Sequence, residues 1–135
     1  MNLTVESVAA FDKVVAQMNR LLTDVETLAK KAPDGPISKF KLGVINEQLR
    51  AANLFVQPPY KPIGGFDEFD VVSLPSNSDV VLVVSQYLTC LERWRSDNVR
   101  RVNTGLSKYW VWNLSGVNLK THAPSGTVDV EDDHF

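Results

Sequence analysis

The sequence predicts a mainly α fold: three helices in an up-down bundle, a long Pro/Gly-containing strap between the second and third, and a small C-terminal β-hairpin. Three observations carry this expectation. Apolar residues recur at alternating spacings of three and four through residues 8–29, as on one face of a helix. The same spacing returns in two later segments. After Gly105 the repeat shortens to two residues, the period of a strand.

The first helix is expected over residues 5–31. Val8, Phe11, Val15, Met18, Leu22, Val25 and Ala29 form its seam, and Val14, Leu21 and Leu28 widen the apolar face. Thr4 can accept a hydrogen bond from an unpaired first-turn amide, with Leu3 and Val8 placed as a hydrophobic staple. Lys30 and Lys31 suit the negative end of the helix dipole, and Pro33-Asp34-Gly35-Pro36 stops the helix.

The second helix is expected to start at Ser38. Leu42, Ile45, Leu49, Ala52 and Val56 form its stripe, with Phe40 and Phe55 beside it. Gln57-Pro58-Pro59 ends it, because a residue before proline is pushed away from helical angles. The link between the two helices is short, which favours antiparallel neighbours.

Residues 57–77 hold Pro58, Pro59, Pro62, Pro75 and the Gly64-Gly65 pair, so regular structure is not expected there. Tyr60, Ile63, Phe66, Phe69, Val71, Val72 and Leu74 are too apolar for a solvated linker. A packed strap is the first reading of this stretch and a binding loop or lid the second.

The third helix opens at Ser76-Asn77-Ser78-Asp79, where several residues can cap. Val80, Val84, Tyr87, Leu91 and Trp94 run along one face, and Val81, Leu82, Val83 and Leu88 make the first turns apolar nearly all round, as in a central helix. A buried strand at 80–84 competes, since β-branched residues suit strands. The periodicity runs unbroken to Trp94 and favours the helix.

In residues 109–114, Tyr109, Val111 and Asn113 alternate with Trp110, Trp112 and Leu114. Ser115-Gly116 supplies a turn, and residues 117–120 return as a second strand. The expected organisation is one domain over residues 1–120 and an acidic tail over 121–135.

Composition narrows the function classes. A chain of 135 residues with 44% hydrophobic and 22% charged residues is ordinary globular material, neither disordered nor fibrous. Its longest apolar run, residues 80–84, is far too short to span a membrane, and no membrane partner is expected. The first residues lack the basic head and apolar run of a secretory signal. A lone Cys90 cannot form an internal disulfide, which favours the cytoplasm. A net charge of −2 argues against a surface that binds nucleic acid or anionic lipid throughout.

No catalytic motif stands out, and neither a cofactor nor a metal site is expected. His122 and His134 both fall near the C-terminus, where a rigid frame and supporting hydrogen bonds are not expected. Cys90 reads as a small buried thiol inside the third helix. Asp67, Glu68, Asp70 and Asp79 cluster without the spacing of a calcium loop. The last five residues, Glu131-Asp132-Asp133-His134-Phe135, resemble the acidic, aromatic-ended tip of bacterial and phage single-stranded-DNA-binding proteins. The glycine-rich linker and OB-type strands of that family are absent, so the family is not assigned.

The basic cluster is the most informative local feature. Arg93, Arg95, Arg100, Arg101 and Lys108 share residues 93–108 with one acid, Asp97, for a local net of five minus one, or +4. Tyr109, Trp110 and Trp112 follow, and on one continuous helix Arg93 and Arg100 share a face. Guanidinium forks fit phosphate or carboxylate, and aromatic faces stack on bases. The competing reading is structural: cations at a helix end, with arginine stems over apolar surface.

Two functional expectations follow. The first is a non-enzymatic protein acting through protein–protein contacts, as a homodimer or with another protein. Its self-association face is expected on the first helix, at Phe11, Val14, Met18, Leu21, Val25 and Leu28. The second is an anionic ligand, a nucleotide or single-stranded nucleic acid, bound by Arg93, Arg95, Arg100, Arg101, Lys108, Tyr109, Trp110 and Trp112. Trp94 is expected to face the core where the third helix meets the hairpin, with Arg93 and Arg95 outward, so that Arg95→Ala leaves stability unchanged.

Overall fold

The computed structural model describes residues 2–125 and contains three helices and a small antiparallel sheet. Helix α1 spans Val5–Lys31, α2 Lys39–Ala52 and α3 Asn77–Ser96; strands β1 (Val99–Asn103), β2 (Lys108–Trp112) and β3 (Lys120–Thr121) follow. The fold is mainly α with a β-hairpin.

Each helix starts where a hydroxyl can cap it. The Thr4 side chain accepts from the Ser7 amide at 3.0 Å, and the Ser7 hydroxyl accepts from the Thr4 amide at 2.8 Å, a reciprocal capping box. Ser38 and Ser76 cap α2 and α3 by accepting from the amides of Lys41 and Asp79. Helix α2 ends at Ala52 rather than running on to Val56, yet Phe55 and Val56 stay buried because the chain turns inward there. Apolar spacing continued past the helix end, so it marked burial and not helical length.

Helix α1 packs mainly on α3 and less extensively on α2. The α1–α2 link is tied to the start of α3. The Ile37 amide donates to the Pro75 carbonyl, the Asn77 amide to the Gly35 carbonyl, and the Asn77 side chain to the Ala32 carbonyl. Gly35 fits because a Cβ there would meet Ala32 Cβ at 3.1 Å, tighter than ordinary contact.

The long connection between α2 and α3 lies against both helices. The Asn46 side chain donates to the Phe69 carbonyl and accepts from the Phe69 amide, both at 2.9 Å, satisfying a buried amide twice. The Asn53 side chain donates to the Asp67 carbonyl and accepts from the Tyr87 hydroxyl. Arg50 pairs with Glu68 at 2.7 Å, and Phe66 stands edge-on to Phe69 and Tyr87.

The sheet order is β1-β2-β3, all antiparallel. This corrects the expected hairpin: the main partner of β2 is β1, which precedes it, and the return strand is only Lys120–Thr121. No element is expected over 99–103, and a shared face for Arg93 and Arg100 requires one continuous helix; α3 instead stops at Ser96 and Val99–Asn103 forms a strand. The Asn98 side chain donates to the Trp94 carbonyl at 2.7 Å and takes up a helix-end acceptor. The tight loop 104–107 closes the hairpin through Gly105 at φ 84°, a left-handed conformation that glycine adopts freely.

Four rings form the centre of the core. Phe11 of α1 and Trp94 of α3 each lie against the other and against Phe55 after α2 and Trp112 of β2, with centroids 5.0–5.9 Å apart. Trp94 is 8% exposed, between the helices and the sheet as expected. Trp94→Ala should cost ~3–5 kcal/mol and lower the melting temperature by about 10 °C or more. Leu106→Ala, at the hairpin tip and 96% exposed, should melt like wild type. Calorimetry of both variants checks this.

Candidate functional site

The strand period of two splits the basic cluster instead of gathering it. Cross-strand partners share a face, and the register pairs Val99 with Trp112, Arg101 with Trp110, and Asn103 with Lys108. Trp112 points into the core, so this is the inner face. Arg100 pairs with Val111, Val102 with Tyr109, and Val111 in turn with Lys120, on the opposite, outer face. Arg93, still on α3 and exposed, has its guanidinium 5.9 Å from the Tyr60 ring centroid. Arg93 and Arg100 therefore do not share a helix face.

Arg95 is the largest departure from expectation, at 2% exposed. All five of its N–H donors are used. Nε donates to Glu92 Oε1 at 2.8 Å, and Nη2 to Glu92 Oε2 at 2.5 Å and the Ala123 carbonyl at 2.9 Å. Nη1 donates to Thr121 Oγ1 at 3.1 Å and the His122 carbonyl at 2.7 Å. The guanidinium thus clasps residues 121–123 onto α3 and has no donor left for a ligand.

Glu92 completes the clasp. Its Oε2 also accepts from the Ser125 amide at 3.1 Å and hydroxyl at 2.9 Å. Burial pushes the Glu92 carboxyl upward, but hydrogen bonds from Arg95 and Ser125 outweigh it and hold the group below its ordinary value. Residues 121–125, expected at the start of a tail, are therefore part of the fold. His134 and the acidic residues 129–133 lie outside the described residues.

Two cavities flank the clasp and share Leu88, Glu92 and Ser125 as lining. One, of about 540 Å³, is also lined by Thr89, Arg93 and Asp97. The other, of about 360 Å³, is lined by Asp12, Asn19, Arg95 and His122 over an apolar floor that includes Phe11 and Val15. Although Asp12 is exposed overall, partial burial raises its carboxyl pKa, against the opposing pull of Arg95 and His122. His122 Nε2 lies 4.0 Å from Glu92 Oε1. With Glu92 and Arg95 engaged by each other, Asp12, Asn19 and His122 are the other polar side chains that line the second cavity with Ser125.

Sequence reasoning missed Asp12, Glu92 and this role of His122. The signal present was Glu92 itself, three residues before Arg95 on one helix and one residue outside the basic window. Cys90 is buried as expected, and burial raises its thiol pKa, which keeps it a weak nucleophile.

The expected self-association face lies largely inside the chain. Phe11, Val14, Met18 and Val25 are buried in its own core, while Leu21 and Leu28 are only partly buried. No described helix is long and apolar enough to cross a membrane. Comparison with protein-family models, curated proteins and solved structures finds no match.

Burial of Arg95 reverses the expected neutrality of its substitution. Arg95→Ala removes the cation paired with Glu92, leaves that carboxylate only its serine donors and strands three further acceptors, and should cost ~3–5 kcal/mol by chemical denaturation. A lowered folded-state pKa means that Glu92 stabilises the fold above its ordinary value of 4.5, and that this is lost as pH falls through the lowered value. The stability gap between wild type and Glu92→Gln should therefore be widest at neutral pH and close as pH falls below the ordinary carboxylate value of 4.5 and through the lowered one. Urea melts across that range check it; a gap that is constant with pH contradicts it.

Proposed function

We propose that this chain is a non-enzymatic interaction protein that self-associates through the groove between α1 and α2. In this reading the three helices run up-down, and residues 57–76 form a strap that closes one side of the bundle. The bonds from Asn46 and Asn53 to that segment support the strap. A cytoplasmic setting agrees with the buried, unpaired thiol of Cys90.

The observation that carries the reading is an apolar stripe on α2. Phe40 is 82% exposed, and Val44, one turn on, is also exposed. Such pairs share one helix face. Val44 lines a groove with Leu21, Gln17, Arg20 and Asp24 of α1, and Leu28 continues that α1 face. Leu21 and Leu28 are the two members of the expected face that the core leaves partly uncovered. The interface is thus moved from the buried side of α1 to its edge beside α2.

A second copy is the occupant that the charges favour. Arg20 and Asp24 border the groove and make no ion pair among the described residues. A two-fold contact presents the same patch from both sides, so Arg20 of one copy meets Asp24 of the other, and the reverse.

Sedimentation at micromolar concentration should show a species of twice 15.0 kDa. Phe40→Asp should shift it to monomer, because the ring is exposed and contributes little to the single chain's own core. Arg20→Asp should do the same by opposing two acids, and Arg20→Asp with Asp24→Arg should restore the dimer. A monomer for wild type at every concentration overturns the proposal.

A further inference from the structure

The outer face of the sheet has a composition that the α1–α2 groove lacks. Arg100, Val111 and Lys120 stand in one row across the three strands, with Val102 and Tyr109 in the next. Arg100 Nη2 reaches only Asn118 Oδ1, at 3.5 Å, and Lys120 Nζ sits 4.7 Å from the Tyr109 ring centroid. Among the described residues, neither cation has a carboxylate partner. None of the residues in these two rows is acidic.

Three cations elsewhere in the described chain are held by carboxylates. Arg50 is matched by Glu68, Lys61 by Asp67 and Arg95 by Glu92. What sets the outer sheet face apart is the placement of two exposed cations about the half-buried Tyr109 ring, over Val111, which is itself fully buried. We infer that this face binds single-stranded nucleic acid, with Arg100 and Lys120 on successive phosphates and Tyr109 under a base.

The chemistry fits that ligand class. A guanidinium presents a donor fork to phosphate oxygens, and most of the Arg100 fork is unengaged. A base that stacks on Tyr109 takes the ring face now covered by the Lys120 ammonium and releases that charge towards the backbone. Exposed cation–π contacts are weaker than base–aromatic stacks, so the exchange is favourable. A sheet surface that offers an aromatic platform beside cations suits splayed-out bases and not a closed duplex, whose bases are already stacked.

The site uses none of the residues of the α1–α2 groove, so it stands or falls separately from self-association. The test is fluorescence anisotropy of the full chain with a short labelled oligothymidylate and the matching oligouridylate, with inorganic polyphosphate as a base-free competitor. Two phosphate contacts on a single strand predict a log–log salt slope of about −1.4 between about 50 and 200 mM. Arg100→Glu with Lys120→Glu should weaken binding at least about tenfold at the low-salt end. Arg100→Gln with Lys120→Gln, a milder pair, guards against unfolding, and its thermal melt should match wild type. Tyr109→Leu should weaken the oligonucleotides but leave polyphosphate binding unchanged, which separates stacking from charge. No binding at about 50 mM salt, or binding indifferent to Arg100 and Lys120, overturns the inference. Equal loss of polyphosphate in Tyr109→Leu also overturns it, because the ring is then not a base platform.

Discussion

The meeting of Phe11, Phe55, Trp94 and Trp112 is the contact on which the rest of the architecture hangs. Each ring comes from a different part of the chain, so one cluster joins α1, the turn after α2, α3 and the sheet. A three-stranded sheet of this size has too little apolar surface to stand alone. It is held because β2 sends Trp112 into the helical core, while Val99 and Leu119 pack beside it. Edge-on and stacked ring pairs add ~0.5–1.5 kcal/mol each beyond the area that they bury. Phe11 and Trp94 each touch the other three rings, so removing either opens a void against all of its neighbours.

Much of the helical frame was legible in the sequence because a helix announces itself by spacing and by its cap. Thr4, Ser38 and Ser76 are short hydroxyl residues just ahead of apolar stripes, and all three cap. The second helix was read too long, since Phe55 and Val56 obey the same spacing after the chain has left the helix. The strand Val99–Asn103 was missed for a complementary reason. Two adjacent arginines between valines look like a charged helix end, and it is the partner strand that makes them extended. Local pattern identifies elements that close on themselves; a strand closes on another segment and shows less of itself.

The site was harder to read because charge in a sequence is one-dimensional. The basic cluster looks like a single patch, but burial takes away Arg95, α3 keeps Arg93, and the strand alternation sends Arg100 and Arg101 to opposite faces. The same geometry that breaks the cluster assembles a smaller, cleaner one with Lys120, which lay too far along the chain to be counted with it. The apolar face of α1 shows the converse. Its breadth suggested a surplus for a partner, whereas two other helices and a sheet in one chain consume most of it. What remains is an edge, completed by Phe40 and Val44 from α2.

The clasp at Arg95 also limits what evolution or an engineer can place there. Five acceptors converge on it: two carboxylate oxygens of Glu92, two carbonyls and one hydroxyl. An ammonium has three hydrogens arranged as a tripod, so lysine keeps the charge but leaves at least two acceptors unserved in a dry place. A neutral amide such as glutamine offers two hydrogens and abandons the carboxylate. Only a planar, permanently charged fork meets the full set. This one position therefore has an alphabet of a single letter, although its neighbour Arg93, exposed to solvent two residues earlier, carries the same side chain under no such restriction.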